Sequence, residues 1–555
     1  MLHRKAIGAT VARPLDEVFD WLTTPGTWPE CFPATLGISA AEPMRPVRAG
    51  DLFTEQLRVN AWHGHFDWTV EVVERPHRCV ITGVASGDLG AVRNGRIEFT
   101  LTGDRTTTTF TREMTYPVQG IAGHFDNLLG FGRAFDKNAD VALQTVVSIL
   151  ENPYLHGPRP DLGDEALLHE ADPLADAAVA SLVGPNGDTT PLTTFIGGLY
   201  RGEPAPAGLP EPMQQFLAAT AQRAPWACEP RLSAASDVFL DWGALSAAAH
   251  ICASLPETYA LPRIAKLLNL TRQLDKDPAH ADRRLWFTVR MCVDILVENG
   301  LTPQGQGLVA VQRLRLIHAM VRMFVQRRLT TPHRLARLGS GSLWDGENGK
   351  PISQLELLYT LLTFSHVIVR SFDAWNVGLT PYERESYIHI WNVAGANLGI
   401  RPELLPRNAA DAARIFDEIK SRYGGPSPHA KELGGALVDY WLSLMPIIAR
   451  DDAKKMMQLM VTTLISPATA SIDGLDQLPE FSRDALHRIK SFLRTQNRDF
   501  EDVFEDAPDA RKAAAALASL LMRRASQPWQ EQSGIFDIPD MLYQRWQKIA
   551  AATTQ

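Results

Sequence analysis

The chain has 555 residues, of which 45% are hydrophobic and 21% are charged. This composition is close to that of an average soluble globular protein, and it excludes a disordered, collagen-like or disulfide-stapled chain. Lys and Arg number 55 against 63 Asp and Glu, so the formal net charge is −8 and gives no electrostatic reason to expect a nucleic-acid partner. At roughly 150 residues per domain, the length predicts two to four domains.

Cysteine usage and hydropathy indicate the compartment. Five scattered cysteines without a CxxC pair favour a reducing environment and argue against a cysteine-ligated zinc or iron–sulfur site. Near the N-terminus, Arg13, Asp16 and Glu17 interrupt the apolar run that a secretory signal needs. The strongest apolar stretch, Leu357 to Val369, is shorter than the ~20 residues that span a bilayer. We therefore expect a soluble, cytoplasmic protein without a transmembrane segment.

Alternation of apolar and polar residues dominates the first part of the chain. From His3 to about Tyr116, runs rich in Val, Ile, Thr and aromatic residues are separated by Gly and charged turns. This pattern predicts an antiparallel meander of strands. Two helical patterns frame the meander, one over residues 14–22 with apolar residues at i, i+3, i+4 and i+7, and one from roughly Phe131 to Leu150.

A strand, two short helices, a long meander and a long closing helix follow one another in the order of the helix-grip fold. On this order and on the opening RPLDEVFDWLTTPGTWPECFP, residues 1–152 resemble the START-like superfamily, the polyketide cyclase and Bet v 1-like group. The resemblance implies an α+β fold whose curved sheet wraps around a helix and leaves an apolar cavity for a lipid, sterol or polyketide. Trp62, Phe66 and Trp68 would face the same side of one strand, either lining that cavity or packing as ordinary core.

The pattern changes after residue 152. Residues 153–195 contain six prolines among Gly and Asp, which is typical of a linker, with one short helix expected at 172–184. From residue 196 to 555, helical periodicity dominates without a fixed internal repeat. The sequence therefore predicts a multi-domain chain whose second part is a large all-α domain, big enough to bury a cofactor.

The candidates for chemistry in this second domain lie on apolar helices. His318 lies in RLRLIHAMVRMFV, with Leu314 and Val321 one turn away and Arg322 at i+4. A neutral imidazole on such a helix can be an axial ligand of heme iron, and a guanidinium one turn on can bind a heme propionate. The alternative is a buried histidine whose ring forms a hydrogen bond with a backbone carbonyl.

Six blocks in series resemble the family of latex clearing protein (rubber oxygenase) and the MpaB-type oxygenases, both in order and in spacing. They are RLWFT (284–288), RLRLIHAMVR (313–322), NGKPISQ (348–354), TLLTFS (360–365), YIHIW (387–391) and GANLGI (395–400), with LLP following at 404–406. The resemblance covers about residues 210–450. It implies a b-type heme in an all-α, heme-binding domain, with His318 as the proximal iron ligand and dioxygen as co-substrate. The family's Arg-x-x-x-Thr helix maps onto Arg284 and Thr288, which share one helix face.

Each of these positions also has a structural alternative. Arg284 could be a solvated position near a helix start, and Thr288 could serve helix packing. Some rubber oxygenases place a lysine before the threonine, where it ligates the distal face of the heme, but this chain has Phe287. Because phenylalanine cannot coordinate iron, a distal ligand would have to be water, dioxygen or another residue. The histidines available for that role are His250, His366 and His389.

A heme in a water-poor, apolar pocket favours oxidation of a hydrophobic substrate by dioxygen. The family resemblance implies oxidative cleavage of a carbon–carbon double bond. For a cytoplasmic protein natural rubber is a poor substrate, so we expect a terpenoid, a polyketide or an acyl chain, bound or presented by the START-like domain. Two alternatives stay open: a non-catalytic heme- or lipid-binding sensor, and a START-type cyclase or lipid carrier fused to a helical scaffold.

Overall fold

The computed structural model describes most of the chain up to residue 488. The described ranges are 2–59, 62–87, 94–117, 131–184, 188–200, 203–270, 278–327, 349–443, 449–485 and 487–488, together with residues 344, 509, 511, 512 and 514. The chain divides into two compact units. The first comprises Met1–Gly157, Trp226–Ala234 and Leu379–Ser386, and the second comprises Pro158–Pro225, Ala235–Gly378 and Tyr387–Gln555.

Within the described residues, the first unit is built on a seven-stranded antiparallel sheet with the order β1-β7-β6-β5-β4-β3-β2. Its strands are β1 (Leu2–Val11), β2 (Thr35–Ala40), β3 (Leu52–Val59), β4 (Trp62–Glu74), β5 (Arg78–Gly87), β6 (Asn94–Gly103) and β7 (Thr108–Pro117). From β2 to β7, each strand pairs with the next along the chain, and β1 closes against β7. The predicted meander is therefore confirmed.

Helices cover the inner face of this sheet. They are α1 (Leu15–Leu22), α2 (Trp28–Cys31) and α3 (Phe131–Glu151). The apolar positions of α1, such as Val18 and Phe19, are fully buried, and Val146 of α3 lies in the same core cluster. A curved antiparallel sheet packed on a long closing helix is the α+β helix-grip arrangement, so the START-like fold class is confirmed.

The aromatic residues of β4 lie in this core. Phe66 and Trp68 are 3% and 1% exposed, with their rings stacked at a centroid distance of 4.5 Å, while Trp62 is partly buried against the same cluster. All three share one face of the strand, as the alternation predicts. They pack with the core residues of the helices, which is the simpler of the two expectations.

The second unit is helical. Its helices, together with those that connect to it, are α4 (Pro153–His156), α5 (Ala166–His169), α6 (Pro173–Ser181), α7 (Thr190–Tyr200), α8 (Glu211–Thr220), α9 (Glu229–Ala249), α10 (Leu255–Tyr259), α11 (Pro262–Leu270), α12 (Pro278–Leu296), α13 (Gln306–Arg327), α14 (Gln354–Phe364), α15 (His366–Ala374), α16 (Pro381–Asn397), α17 (Ala409–Tyr423), α18 (Pro428–Ser443), α19 (Arg450–Leu464) and α20 (Pro467–Ile472). A π-helical turn, His250–Ser254, joins α9 to α10. The expected all-α architecture is confirmed, while the expected domain limits at 152 and 196 stay predictions.

The segment 153–195 differs from the linker that its prolines predict. It contains four helices, and Ala175, Val179 and Leu192 belong to a buried cluster of the second unit. The physical reason is that proline is tolerated in the first turn of a helix, where its missing N–H is not needed. Pro153 and Pro173 stand in this position, each after an Asn or Asp that caps the helix.

Two helical stretches are long and apolar enough to cross a membrane by length and composition. They are Glu229–Tyr259, with a mean hydropathy of 1.4, and Gln354–Ala374, with a mean hydropathy of 1.2. In each, most of the apolar window is buried inside the protein (67% and 78%), as in an ordinary core helix. The expectation of a chain without a transmembrane segment therefore stays a prediction.

Candidate functional site

Helix α13 carries His318, and two of its faces pack against different helices. Leu316 is fully buried in a cluster with residues of α6, α7 and α8. Val321 and Val325 belong instead to a cluster with Leu267 of α11. Because residues at i, i+3 and i+7 share a helix face, half-buried His318 lies on the α11 side of the helix.

Arg322 is only 2% exposed and forms an ion pair within the chain. Its Nε and Nη2 lie 2.8 Å and 2.7 Å from Oδ1 of Asp176 on α6. The guanidinium that the sequence suggests for a heme propionate therefore binds a carboxylate of the protein itself. The propionate role stays a prediction, and it requires that this ion pair be shared or opened.

Helix α12 carries the Arg-x-x-x-Thr pattern. Thr288 is half-buried on it, whereas the side chain of Arg284 lies outside the described residues. Helices α12 and α13 are in contact, and the guanidinium carbon of Arg313 lies 4.6 Å from the ring centroid of Phe287. The helix of Thr288 and the helix of His318 are therefore neighbours. At the position where some rubber oxygenases have a lysine, this chain has a phenylalanine whose ring is in contact with an arginine of α13.

His250 is in contact with α12 through Cys292. It begins the π-helical turn, a type of irregularity that often occurs at functional sites. Its Nδ1 lies 2.7 Å from the backbone oxygen of Ser246, and its Nε2 lies 4.0 Å from Sγ of Cys292. Cys292 follows Thr288 by four residues and so shares its helix face. Burial lowers the pKa of His250 to about 4, which keeps the imidazole neutral at pH 7.

The other two histidines lie elsewhere in the helical unit. The ring centroid of His366 lies 5.4 Å from that of Phe416, and His366 is half-buried. His389 is 8% exposed within α16. A distal-ligand role for either histidine stays untested.

Glu257 is a fully buried carboxylate in the first turn of α10, and the structure gives it an ionic role. Nη2 of Arg370 donates to Oε1 at 2.7 Å, and Nζ of Lys420 donates to Oε2 at 2.6 Å. The hydroxyl of Tyr359 donates to the backbone oxygen of Glu257 at 2.8 Å. Glu257 thus joins α10 to α15 and α17 through charge-assisted hydrogen bonds and to α14 through its backbone oxygen, and its geometry is that of a structural anchor.

The strands of the first unit direct two charged residues into the interior that sequence reasoning missed. Glu55 of β3 is 4% exposed and Arg112 of β7 is 8% exposed. Strict alternation could have found both, because Phe53 and Leu57 flank one position, and Phe110 and Met114 the other, at a spacing of two. A charged residue at an inward position of a regular strand is informative, since such residues are rarely buried.

Two family models match the chain. Residues 237–495 match the family described as ER-bound oxygenase mpaB/B'/Rubber oxygenase, catalytic domain. The helical unit resembles the rubber oxygenase catalytic domain. Residues 7–151 match the family described as Polyketide cyclase / dehydrase and lipid transport. Both resemblances suggested by the sequence are thereby confirmed.

Similar proteins are found for both parts of the chain. A rubber oxygenase from Streptomyces sp. (strain K30) is 25% identical over 289 residues, which cover 51% of this chain and 64% of that protein. The chain therefore matches less than two thirds of the length of that relative. The structure of latex clearing protein in the closed state superposes with a TM-score of 0.50 at 19% identity, covering 67% of this chain and 95% of that chain, and supports the fold. The Zhui aromatase/cyclase from Streptomyces sp. R1128 covers 26% of this chain and 92% of its own, at 14% identity and a TM-score of 0.23.

Proposed function

We propose that the chain is a heme-dependent oxygenase, an oxidoreductase that uses dioxygen to oxidise a hydrophobic substrate by cleavage of a carbon–carbon double bond. The observation that carries the proposal is the family match over residues 237–495. This range contains α12 with Thr288 and α13 with His318, two helices in contact. The reaction type is an inference from the family and not from the geometry.

The residues around His318 fit a cofactor that brings most of its own metal ligands. Within the described residues, no group of three or more His, Cys, Asp or Glu side chains is placed to hold a bare metal ion. A porphyrin supplies four of the ligands of iron and needs one imidazole from the protein, so a single histidine on an apolar helix suits it. When bound, heme b supplies the one-electron and dioxygen chemistry that no side chain provides.

The side chains of the helical unit have supporting roles in this proposal. His318 would hold the heme iron, and the aliphatic Val321, Val325 and Leu267 keep water away from its side of α13. The hydroxyl of Thr288 donates a hydrogen bond to an oxygen atom of the reactants and orients it. Neutral His250, whose Nδ1 is hydrogen-bonded to the backbone oxygen of Ser246, is a further polar group next to the helix that carries Thr288.

The substrate class follows from the two domains together. A protein that joins an oxygenase-like unit to a START-like unit suits a sparingly soluble small molecule, such as a terpenoid, a polyketide or an acyl chain. In our proposal the START-like unit binds this molecule and raises its effective concentration for the oxygenase unit. We also propose a cytoplasmic location, which the five free and buried cysteines support.

Oxygen uptake by the heme-loaded full chain tests the proposal. We expect uptake with at least one of squalene, farnesol and linoleic acid, and carbonyl products that carry label from ¹⁸O₂ in mass spectra. Thr288→Ala should lower the rate at least about ten-fold because a donor to the reacting oxygen is lost. Thr288→Ser should retain most of the rate, and Thr462→Ala, on an exposed helix position, is the matched control. Heme binding without oxygen uptake on any substrate would support the sensor alternative instead.

A further inference from the structure

Arg112 is a buried cation on the inner face of the sheet in the first unit. Strand β7 directs it inward together with Phe110 and Met114, and it lies opposite Phe99 of β6 in the register. Its guanidinium carbon lies 4.6 Å from the ring centroid of Phe32, 5.9 Å from that of Trp28 and 6.0 Å from that of Phe99. Aromatic rings surround the charge, and the carboxylate of Glu55 acts on it electrostatically without forming a hydrogen bond to it.

Hydrogen bonding leaves this guanidinium without an acceptor. Its Nε is buried and has no partner, and no residue in the described part of the chain forms a hydrogen bond or an ion pair with the group. Glu55 shares the interior but directs its oxygens elsewhere. Its Oε1 accepts from the hydroxyl of Thr35 at 2.6 Å, and its Oε2 accepts from Nε1 of Trp68 at 2.9 Å.

A second buried arginine lies in the same unit. Arg231, which belongs to the same unit, is 6% exposed, and both it and Arg112 act electrostatically on the buried thiol of Cys31. Two carboxylates, those of Glu30 and Glu55, act on the same thiol in the opposite direction, and burial raises the pKa of Glu55, which favours its neutral form. An arginine stays protonated in proteins and cannot lose its charge in this way. The interior therefore contains a cation that lacks an acceptor and is surrounded by aromatic rings.

We propose that the interior of the first unit binds a hydrophobic molecule with a carboxylate head group, which Arg112 anchors. A guanidinium offers two parallel N–H donors to a carboxylate, and the rings of Trp28, Phe32 and Phe99 offer apolar surface to the rest of the ligand. The inference rests on the proposed role of this unit as a binder of hydrophobic molecules, and it adds the chemistry of the head group. An apolar acid is accordingly the substrate class of the whole protein.

Displacement of a neutral fluorophore from the full chain tests the inference. Dodecanoic acid and dodecan-1-ol compete with bound 1-N-phenylnaphthylamine at pH 7.5. The two competitors have the same chain length, and at this pH they differ in the charge of the head group. In the wild-type protein, the acid should bind at least about ten-fold more tightly than the alcohol, since a charge-assisted hydrogen bond is being formed. Arg112→Met should bring the ratio close to one, and Arg112→Lys should restore part of it.

Arg96→Met is the matched control, because Arg96 lies on the neighbouring strand β6, pairs with Glu98 and is 38% exposed. The acid preference should survive in this variant. Equal binding of acid and alcohol to the wild-type chain, or an acid preference that persists in Arg112→Met, would remove Arg112 from the role while leaving the binding of apolar molecules intact. Displacement by neither compound would overturn the binding role of the first unit itself. The wild-type comparison holds even if Arg112→Met fails to fold.

Discussion

Buried charged residues have different surroundings in the two units. In the helical unit, the carboxylate of Glu257 is fully buried and receives hydrogen bonds from Arg370 and Lys420 at 2.7 Å and 2.6 Å. In the START-like unit, Arg112 is buried almost as completely, but aromatic rings surround it and no acceptor contacts it among the described residues. The carboxylate of Glu257 therefore has its hydrogen-bond donors within the protein, while the guanidinium of Arg112 keeps donors that a ligand could use.

Burial of a charged residue is not by itself a sign of function. Asp473, near Glu257, makes this clear, because both of its carboxyl oxygens are buried and without hydrogen-bond partners. Burial raises the pKa of Asp473 to about 9, so this group is protonated and neutral at pH 7. A carboxyl group can lose its charge when it is left unpaired, but a guanidinium cannot. An unpaired buried arginine is therefore stronger evidence of a ligand than an unpaired buried aspartate.

The largest effect on stability is expected for the paired cluster. Glu257→Gln would leave the partly buried Arg370 and Lys420 without the fully buried carboxylate that they bind, and it should lower the free energy of unfolding by about 3–5 kcal/mol. Urea denaturation monitored by far-UV circular dichroism measures this change. Glu418→Gln is the control, because Glu418 pairs with Arg414 at a position that is 38% exposed and should cost less than about 1 kcal/mol. Equal effects of the two changes would refute the structural role of the cluster.

A smaller effect is expected for His250 and depends on pH. Its pKa lies near 4 in the folded chain and about 6.5 in the unfolded chain, so the unfolded state binds the proton more readily. Stability from this residue is present above pH 6.5 and is lost as the pH falls towards 4, amounting to about 2 kcal/mol between pH 8 and pH 5.

His250→Phe removes this dependence, so the wild-type protein should lose more stability between pH 8 and pH 5 than the variant does. Urea denaturation at the two pH values measures the difference. His169→Phe, at an exposed position, is the control and should behave as the wild type. Parallel losses in the wild type and His250→Phe would show that the imidazole is not held neutral by burial.

The smallest change is expected for Arg112. Because this cation has no hydrogen-bonded or ion-paired acceptor to lose among the described residues, Arg112→Met should alter the free energy of unfolding by less than about 1 kcal/mol and can raise it, as replacement of buried charge by apolar residues often does. The same urea titration, run beside Glu257→Gln, measures it. A loss above about 2 kcal/mol would mean that the arginine stabilises the fold, and the contrast between the units would disappear.

The sequence carries most of the information on fold and part of that on the site. Alternation in β3 to β7 predicts the meander because one face of the sheet is buried, and the periodicity of α1 predicts its buried residues. Proline density in 153–195 misleads, since Pro153 and Pro173 start helices instead of breaking them. The ion pair of Arg322 could not be predicted from the sequence. Its partner Asp176 is 146 residues away, and no sequence pattern near either residue indicates that they pair.

The same limit applies to Arg112. Its inward position is visible in the sequence, but its surroundings depend on residues that are distant along the chain, such as Phe32 and Phe99. Contacts between distant segments decide whether a polar residue is a structural anchor or a ligand contact. They are available only from the folded structure.

Heme ligation by His318 is the central claim, and an absorption spectrum of the purified full chain tests it most directly. The wild-type protein should show a Soret band whose position shifts on reduction, and His318→Ala should lose most of its heme as measured by the pyridine hemochromogen assay, while Arg322→Ala and Thr288→Ala retain more of it. A colourless wild-type protein after expression with ample iron and heme precursor would contradict the account, as would a His318→Ala variant that keeps its full heme content.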